Sequence, residues 1–199
     1  QTAIDTASNL DTVMVNPGTY DENISLDGKY VTITTPDPST SAASTIIDGG
    51  SNGISVIDIN GLGLSYQPEQ ESSILISGFT ITNGLTASYE VASAIWLHST
   101  SNINIGINFE NLIIENNFAS NGPTVYFYYT NTSRKMQLNN VVVRNNNSIQ
   151  TFYGFNQEFE MNGCEFYNNQ GNNTIQFWHN GDTHYSTIKN TIIRDNLTS

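Results

Sequence analysis

From residue 79 onward one six-residue pattern returns five times: Phe79-Thr-Ile-Thr-Asn83-Gly84, Leu112-Ile-Ile-Glu-Asn116-Asn117, Val141-Val-Val-Arg-Asn145-Asn146, Cys164-Glu-Phe-Tyr-Asn168-Asn169 and Thr191-Ile-Ile-Arg-Asp195-Asn196. The fifth positions lie 33, 29, 23 and 27 residues apart. Just upstream of each copy sits a second alternating piece ending in Gly or Asn: 74–78, 107–111, 136–140, 159–163 and 188–190. Between the pairs lies a third apolar-rich run, at 95–98, 125–128, 152–153 and 175–178. Self-similarity at this period is the mark of architectures built by stacking.

Each unit therefore holds three short segments of period-two alternation, which read as strands, joined by tight turns rich in Asn and Gly. A unit of 23 to 33 residues cannot bury its own apolar face. Stacked units can, because each coil hydrogen-bonds to its neighbours and the inward residues merge into one core. A leucine-rich horseshoe would carry its Leu consensus, and a β-propeller its Trp-Asp repeats and hairpins; neither signature is present. The geometry that remains is a parallel β-helix of about six coils, with strands ~4.8 Å apart.

The N-terminal third follows the same scheme more loosely. Residues 2–8 read as a short amphipathic helix, 12–15 as the first strand and 16–20 as a turn. Ile24-Ser-Leu26 and Val31-Thr-Ile33 read as paired strands around Asp27-Gly28. A helix laid over the first coil would hide its apolar edge, as terminal caps must. No similar cap follows Asn196-Leu-Thr-Ser199, so residues 1–199 are expected to form one domain, the N-terminal part of a longer solenoid. The open last coil is expected to meet another copy or another domain.

Composition agrees. The 28 Asn, 22 Thr, 20 Ser and 22 Ile suit strands and turns, whereas Ala, a strong helix former, occurs only 8 times. The formal charge is −12, carried entirely by the residues up to Ser133. Nucleic-acid binding needs clusters of Lys and Arg, and with 6 such residues the chain has none. Anionic lipid is disfavoured for the same reason. No run approaches the ~18 apolar residues of a membrane-spanning helix, so membrane insertion is not expected. Cys164 is alone, which excludes an internal disulfide and cysteine-based zinc sites. Sequons occur at Asn23, Asn131, Asn146, Asn172 and Asn196, as chance allows in a chain so rich in Asn and Thr.

The opening residues carry a resemblance. A short helix, Asp11-Thr-Val-Met-Val15, and Pro17-Gly-Thr-Tyr-Asp-Glu-Asn-Ile24 look like the first coil of secreted β-helix proteins, pectin methylesterases among them. The unit at 79–84 resembles the repeat of the right-handed parallel β-helix, pectin-lyase-like family, which includes bacterial cell-surface proteins. The resemblance implies a right-handed, single-stranded solenoid and a secreted or cell-surface location. It does not carry an activity, because one fold hosts many functions. Gly18-x-Tyr20-x-Glu22 matches a turn motif of pectin methylesterases, but their catalytic Asp and Gln motifs are missing. Lyases of this fold use a Lys or Arg base, often with Ca²⁺, and polygalacturonases use clustered Asp; the repeat-bearing half shows no such cluster.

Alternation places the second and fourth residues of each repeat outside. One outward column is then Thr82, Glu115, Arg144, Tyr167 and Arg194. Arg144 and Arg194 are the candidate catalytic bases of a lyase, weighed against a structural ladder in which Glu115 pairs with Arg144. The turn residues Asn83, Asn116, Asn145 and Asn168 form a file expected to bond amide to amide along the axis. On the third strand, Trp96, Tyr126, Tyr153 and Gln176 form one outward column, and His98, Tyr128, Phe155 and Trp178 the next. Seven of these eight bear rings. Such faces stack on sugars, and an uncharged stripe suits a neutral chain; Trp96, His98, Tyr126, Tyr128, Tyr153 and Trp178 are the candidate carbohydrate-binding residues. The competing account has loops covering the stripe, or a one-residue slip turning the rings inward.

A Ca²⁺ site in the acidic part, around Asp48, Asp58, Glu69 and Glu71, competes with plain solvated charge; no EF-hand or Ca²⁺-binding repeat is present, and no cofactor is expected. His98, His179 and His184 show no zinc spacing. The reading adopted is a non-catalytic extracellular or cell-surface β-helix, structural or adhesive, that binds polysaccharide through the stripe. A polysaccharide lyase and a filament or spacer subunit are the alternatives.

Overall fold

The computed structural model describes residues 1–61, 73–98, 106–128, 135–155, 158–179 and 185–198. Within them the chain winds as a right-handed parallel β-helix with three sheets, each strand pairing in parallel with its equivalent one coil on. The first sheet runs Thr12–Met14, Thr32–Thr34, Ser73–Ser77, Gly106–Glu110, Met136–Asn139, Phe159–Asn162 and Thr187–Lys189. The second runs Gly18–Asp21, Thr45–Asp48, Thr80–Thr82, Ile113–Glu115, Val142–Arg144, Glu165–Tyr167 and Ile192–Arg194. The third joins Ile24–Ser25, Ile57–Asn60, Ile95–His98, Phe118–Tyr128, Asn147–Phe155 and Asn173–Trp178, with Leu85–Thr86 paired alongside Phe118–Tyr128.

The core follows from alternation. On the second sheet Ile47, Ile81, Ile114, Val143 and Phe166 stand in register inside the bore, each no more than 2% exposed. Ile193 continues the file but is 51% exposed, because it lies in the last described coil. Ile188, Ile192 and Leu197 are exposed beside it. Rings fill the core of the later coils: Phe127, Phe152, Phe159 and Phe166 are fully buried, and Phe152 meets Phe127, Phe159 and Phe166 edge-on at 5.3–6.4 Å between centroids. Each such side chain contributes about 1.5–3 kcal/mol by leaving water. Gly154 is required by this packing, since a Cβ there would lie 2.3 Å from the Phe159 ring. At the other end a helix, Thr2–Thr6, lowers Ile4 onto the first coil and buries it to 3% exposure.

Two expectations for the N-terminal third need correction. Ile24–Ser25 and Thr32–Thr34 do not pair with each other. They lie on successive faces of the coil, and Thr32–Thr34 pairs with Thr12–Met14. Gly18–Asp21 is a strand rather than part of a turn, because Tyr20 faces Ile47 in the next coil.

The Asn-Asn turns divide their work differently from the expectation. The first Asn of each pair (Asn116, Asn145 and Asn168), together with Asn83 and Asp195, adopts φ between 53° and 57° and points to solvent, supplying the left-handed corner. The continuous amide ladder belongs to the second residue. Asn117, Asn146, Asn169 and Asn196 bond side chain to side chain at 3.0 Å per step. Asn117, Asn146 and Asn169 are 1% exposed. Gly84 starts this file, donating its N–H to Asn117 Oδ1 at 2.8 Å; a side chain there would strike the Ser93 carbonyl at 2.0 Å.

Candidate functional site

The outward columns fall where alternation puts them. Register runs Thr82–Glu115–Arg144–Tyr167–Arg194 on the second sheet. Arg144 Nε donates to Glu115 at 2.6 Å and its Nη1 to the Tyr167 hydroxyl at 2.9 Å. Arg194 lies 4.4 Å from the centre of the Tyr167 ring and donates to Asp195 at 2.8 Å. The hydrogen bonds that Arg144 donates to Tyr167 and Glu115 hold its guanidinium above its ordinary pKa, the reverse of what a general base needs.

On the third sheet one column is Ser25–Asp58–Trp96–Tyr126–Tyr153–Gln176, and the next is Asn60–His98–Tyr128–Phe155–Trp178. Ile95, Leu97, Val125, Phe127 and Phe152 are buried between these positions, so the rings face outward, the coil at 152–155 included. The register shift between Ala119 and Pro123 ends before the columns begin.

The rings stack on one another. Tyr126 lies on Tyr153 at 5.1 Å and 13°, and Tyr128 on Phe155 at 5.0 Å and 26°. Parallel strands about 4.8 Å apart impose this spacing, so the flat faces meet along the helix axis and ring edges turn outward. Exposure is graded accordingly: Tyr126 is 9% exposed, Tyr128 37% and Trp178 54%. Trp178 meets Phe155 at 67°, which breaks the stack and frees an indole face at the C-terminal end. At the other end Trp96 stacks on His98 at 3.7 Å and 19°, and His98 Nε2 lies 2.9 Å from Asp58 Oδ1.

Burial raises the hydroxyl pKa of Tyr126 and of Tyr153, and on Tyr126 the neighbouring Tyr153 and Tyr128, then Glu90 and Tyr89, act in the same sense. Tyr89 and Glu90 sit on the segment that lies against Gly122, where a side chain would meet the Ser88 and Val91 carbonyls at 2.6 and 2.7 Å. The Tyr126 ring itself is covered on one face by Tyr153 and flanked by Tyr128.

Among the described residues no group of three or more His, Cys, Asp or Glu converges as a metal site. Asp48 accepts from Asn83 at 2.8 Å and from the Gly50 N–H at 2.9 Å. Glu69, Glu71 and His184 lie outside the described residues. Among the described residues no helix is long and apolar enough to cross a membrane. Cys164 is fully buried, with Sγ 3.4 Å from the Leu138 carbonyl. The sequon residue Asn146 is locked inside the ladder and cannot carry a glycan in the folded chain.

Sequence reasoning missed a hollow of about 320 Å³ at the head of the ring columns, lined by Ser25, Gly53, Ile54, Asp58, Val91 and Trp96. The Asp58–Trp96 register pairing was its available signal, but its walls come from turns with no repeat to align.

No protein-family model and no curated protein matches the chain. Among solved structures it is similar to the pectin methylesterase from Aspergillus niger. In the penultimately deglycosylated form the likeness has a TM-score of 0.44 and 10% identity, over 100% of this chain and 81% of that one. In the deglycosylated form the TM-score is 0.47 with 10% identity, over 96% and 80%. At this distance the likeness is one of fold.

Proposed function

We propose that the chain is a non-catalytic, extracellular or cell-surface β-helix that binds a neutral polysaccharide along the outer face of its third sheet. The observation that carries this reading is the double column of seven rings from Trp96 to Trp178, in register over four coils. Its stacked middle, Tyr126 on Tyr153 and Tyr128 on Phe155, is held by packing, so little order is lost on binding. The column offers ring edges and tyrosine hydroxyls along its length and an open indole face at Trp178. Tyr128 and Trp178 are its exposed members, and exposed aromatic surface commonly marks an interaction site. Negative charge in the first 133 residues disfavours polyuronates.

The Arg144 column reads as structural: its pairing with Glu115 and Tyr167 stacks unlike groups along the sheet. A glycan array read with Trp178→Ala and Tyr128→Ala beside the wild type tests the proposal. Loss of neutral-glycan signal in both variants is expected, and unchanged signal would overturn it. Release of unsaturated products from polyuronates, with or without Ca²⁺, would establish the lyase reading instead.

A further inference from the structure

The inner ring column does not simply stop at its N-terminal end. Above Trp96 the same outward positions are taken by Asp58 and Ser25, so the file passes from rings to oxygen-bearing side chains. The hollow of about 320 Å³ lies at this change, walled by Ile54 and Val91. Its size falls at the lower end of small-molecule sites, roughly 300–1,000 Å³. Trp96 walls it as well, with its indole N–H closed to solvent. One group inside it asks for a polar ligand. Asp58 is oriented by the contact of His98 with Oδ1, and a carboxylate has lone pairs for further donors. Beyond Ser25 the column is closed, because Gln1 bonds both the N–H and the carbonyl of Ser25 at 2.8 and 2.9 Å.

We propose that this hollow binds one neutral hexose unit of the glycan, its hydroxyls donating to Asp58 while its apolar side rests on Ile54 and Val91. This deepens the polysaccharide-binding reading and rests on it. The hollow then anchors one end of the bound segment, and the rings guide the remainder toward Trp178. Anionic sugars are excluded at this end by the Asp58 carboxylate.

The two tryptophans, Trp96 and Trp178, stand at opposite ends of the columns and report them separately. The test uses fluorescence titration of Trp178→Phe, which leaves Trp96, and of Trp96→Phe, which leaves Trp178. The probes are neutral β-1,4-linked gluco-, manno- and xylo-hexasaccharides, with oligogalacturonate as the charged control. At least one neutral hexasaccharide is expected to change both emissions, and the oligogalacturonate neither. Asp58→Asn or Ile54→Phe in the Trp178→Phe background should remove the Trp96 response. In the Trp96→Phe background, Asp58→Asn should weaken the Trp178 titration about tenfold without abolishing it, equivalent to ~1.4 kcal/mol. A response at Trp178 with silence at Trp96 would overturn the hollow and leave the ring-column reading standing. Silence at both tryptophans with every neutral probe would overturn both, and a response at Trp96 alone would overturn the ring-column reading.

Discussion

Asn146 Oδ1 accepts two hydrogen bonds from Asn117, one from its main-chain N–H and one from its side-chain amide, both at 3.0 Å. Asn146 in turn donates its side-chain amide to the Ile114 and Arg144 carbonyls at 2.9 Å and to Asn169 Oδ1 at 3.0 Å. One buried side chain thus satisfies polar groups in its own coil and in both neighbours. Asn146→Ala would leave several of them unpaired, at about 1–3 kcal/mol each for a buried group. We expect a loss of about 2–4 kcal/mol in urea unfolding. Asn145→Gly, one residue earlier at φ 55°, should change stability by less than about 0.5 kcal/mol, because glycine adopts the same corner freely.

The contrast between these neighbours shows what the sequence displays and what it hides. Period-two alternation decided the facing of Ile81, Ile114, Val143 and Phe166, and of both ring columns, because a strand has only two sides. The Asn-Asn pairs marked the corners but not the division of labour. Which amide turns inward depends on the left-handed φ of the first residue, and spacing carries no trace of it. Ile24–Ser25 and Thr32–Thr34 read as paired strands because a short turn joins them; their partners are a coil away. The hollow was invisible because Ile54 and Val91 come from turns that do not repeat.

Tyr126 and Tyr153 make stability sensitive to alkali. Burial raises both hydroxyls above the ordinary value of about 10. The unfolded chain therefore ionises first, so its proton release favours unfolding once pH passes 10. Their stabilising contribution is complete below pH 10 and shrinks as pH climbs above it. Absorbance of phenolate near 295 nm should show these two groups titrating above pH 10, and Tyr126→Phe should flatten the fall in stability.

Cys164 provides a clock for unfolding. Its thiol is fully buried in the core and its pKa is pushed up by that burial. A disulfide reagent at neutral pH should leave the native protein unmodified and react stoichiometrically in urea, with a midpoint matching the loss of strand circular dichroism. Rapid labelling without denaturant would mean that the bore opens locally around the coil of Phe166.

Glu115 and Arg144 should matter little to either fold or binding. Arg144 and Glu115 are both partly exposed, with side-chain accessibilities of 33% and 20%. Glu115→Ala is expected to cost about 0.2–1 kcal/mol. Arg144→Met should leave glycan binding unchanged, read on the same glycan array as the ring variants. A strong loss of binding in Arg144→Met would move the working face from the third sheet to the second.

The most direct test of the account is affinity electrophoresis through gels cast with neutral polysaccharides, comparing the wild type with a Tyr128→Ala/Trp178→Ala double variant of unchanged circular dichroism. Truncating central aromatic contacts typically costs more than 1 kcal/mol each, so the double variant should bind at least about thirtyfold more weakly. Retardation of the wild type that disappears in the variant is the predicted result. Equal mobility of the two proteins in every gel that retards the wild type, or no retardation of the wild type at all, would contradict a glycan-binding third sheet.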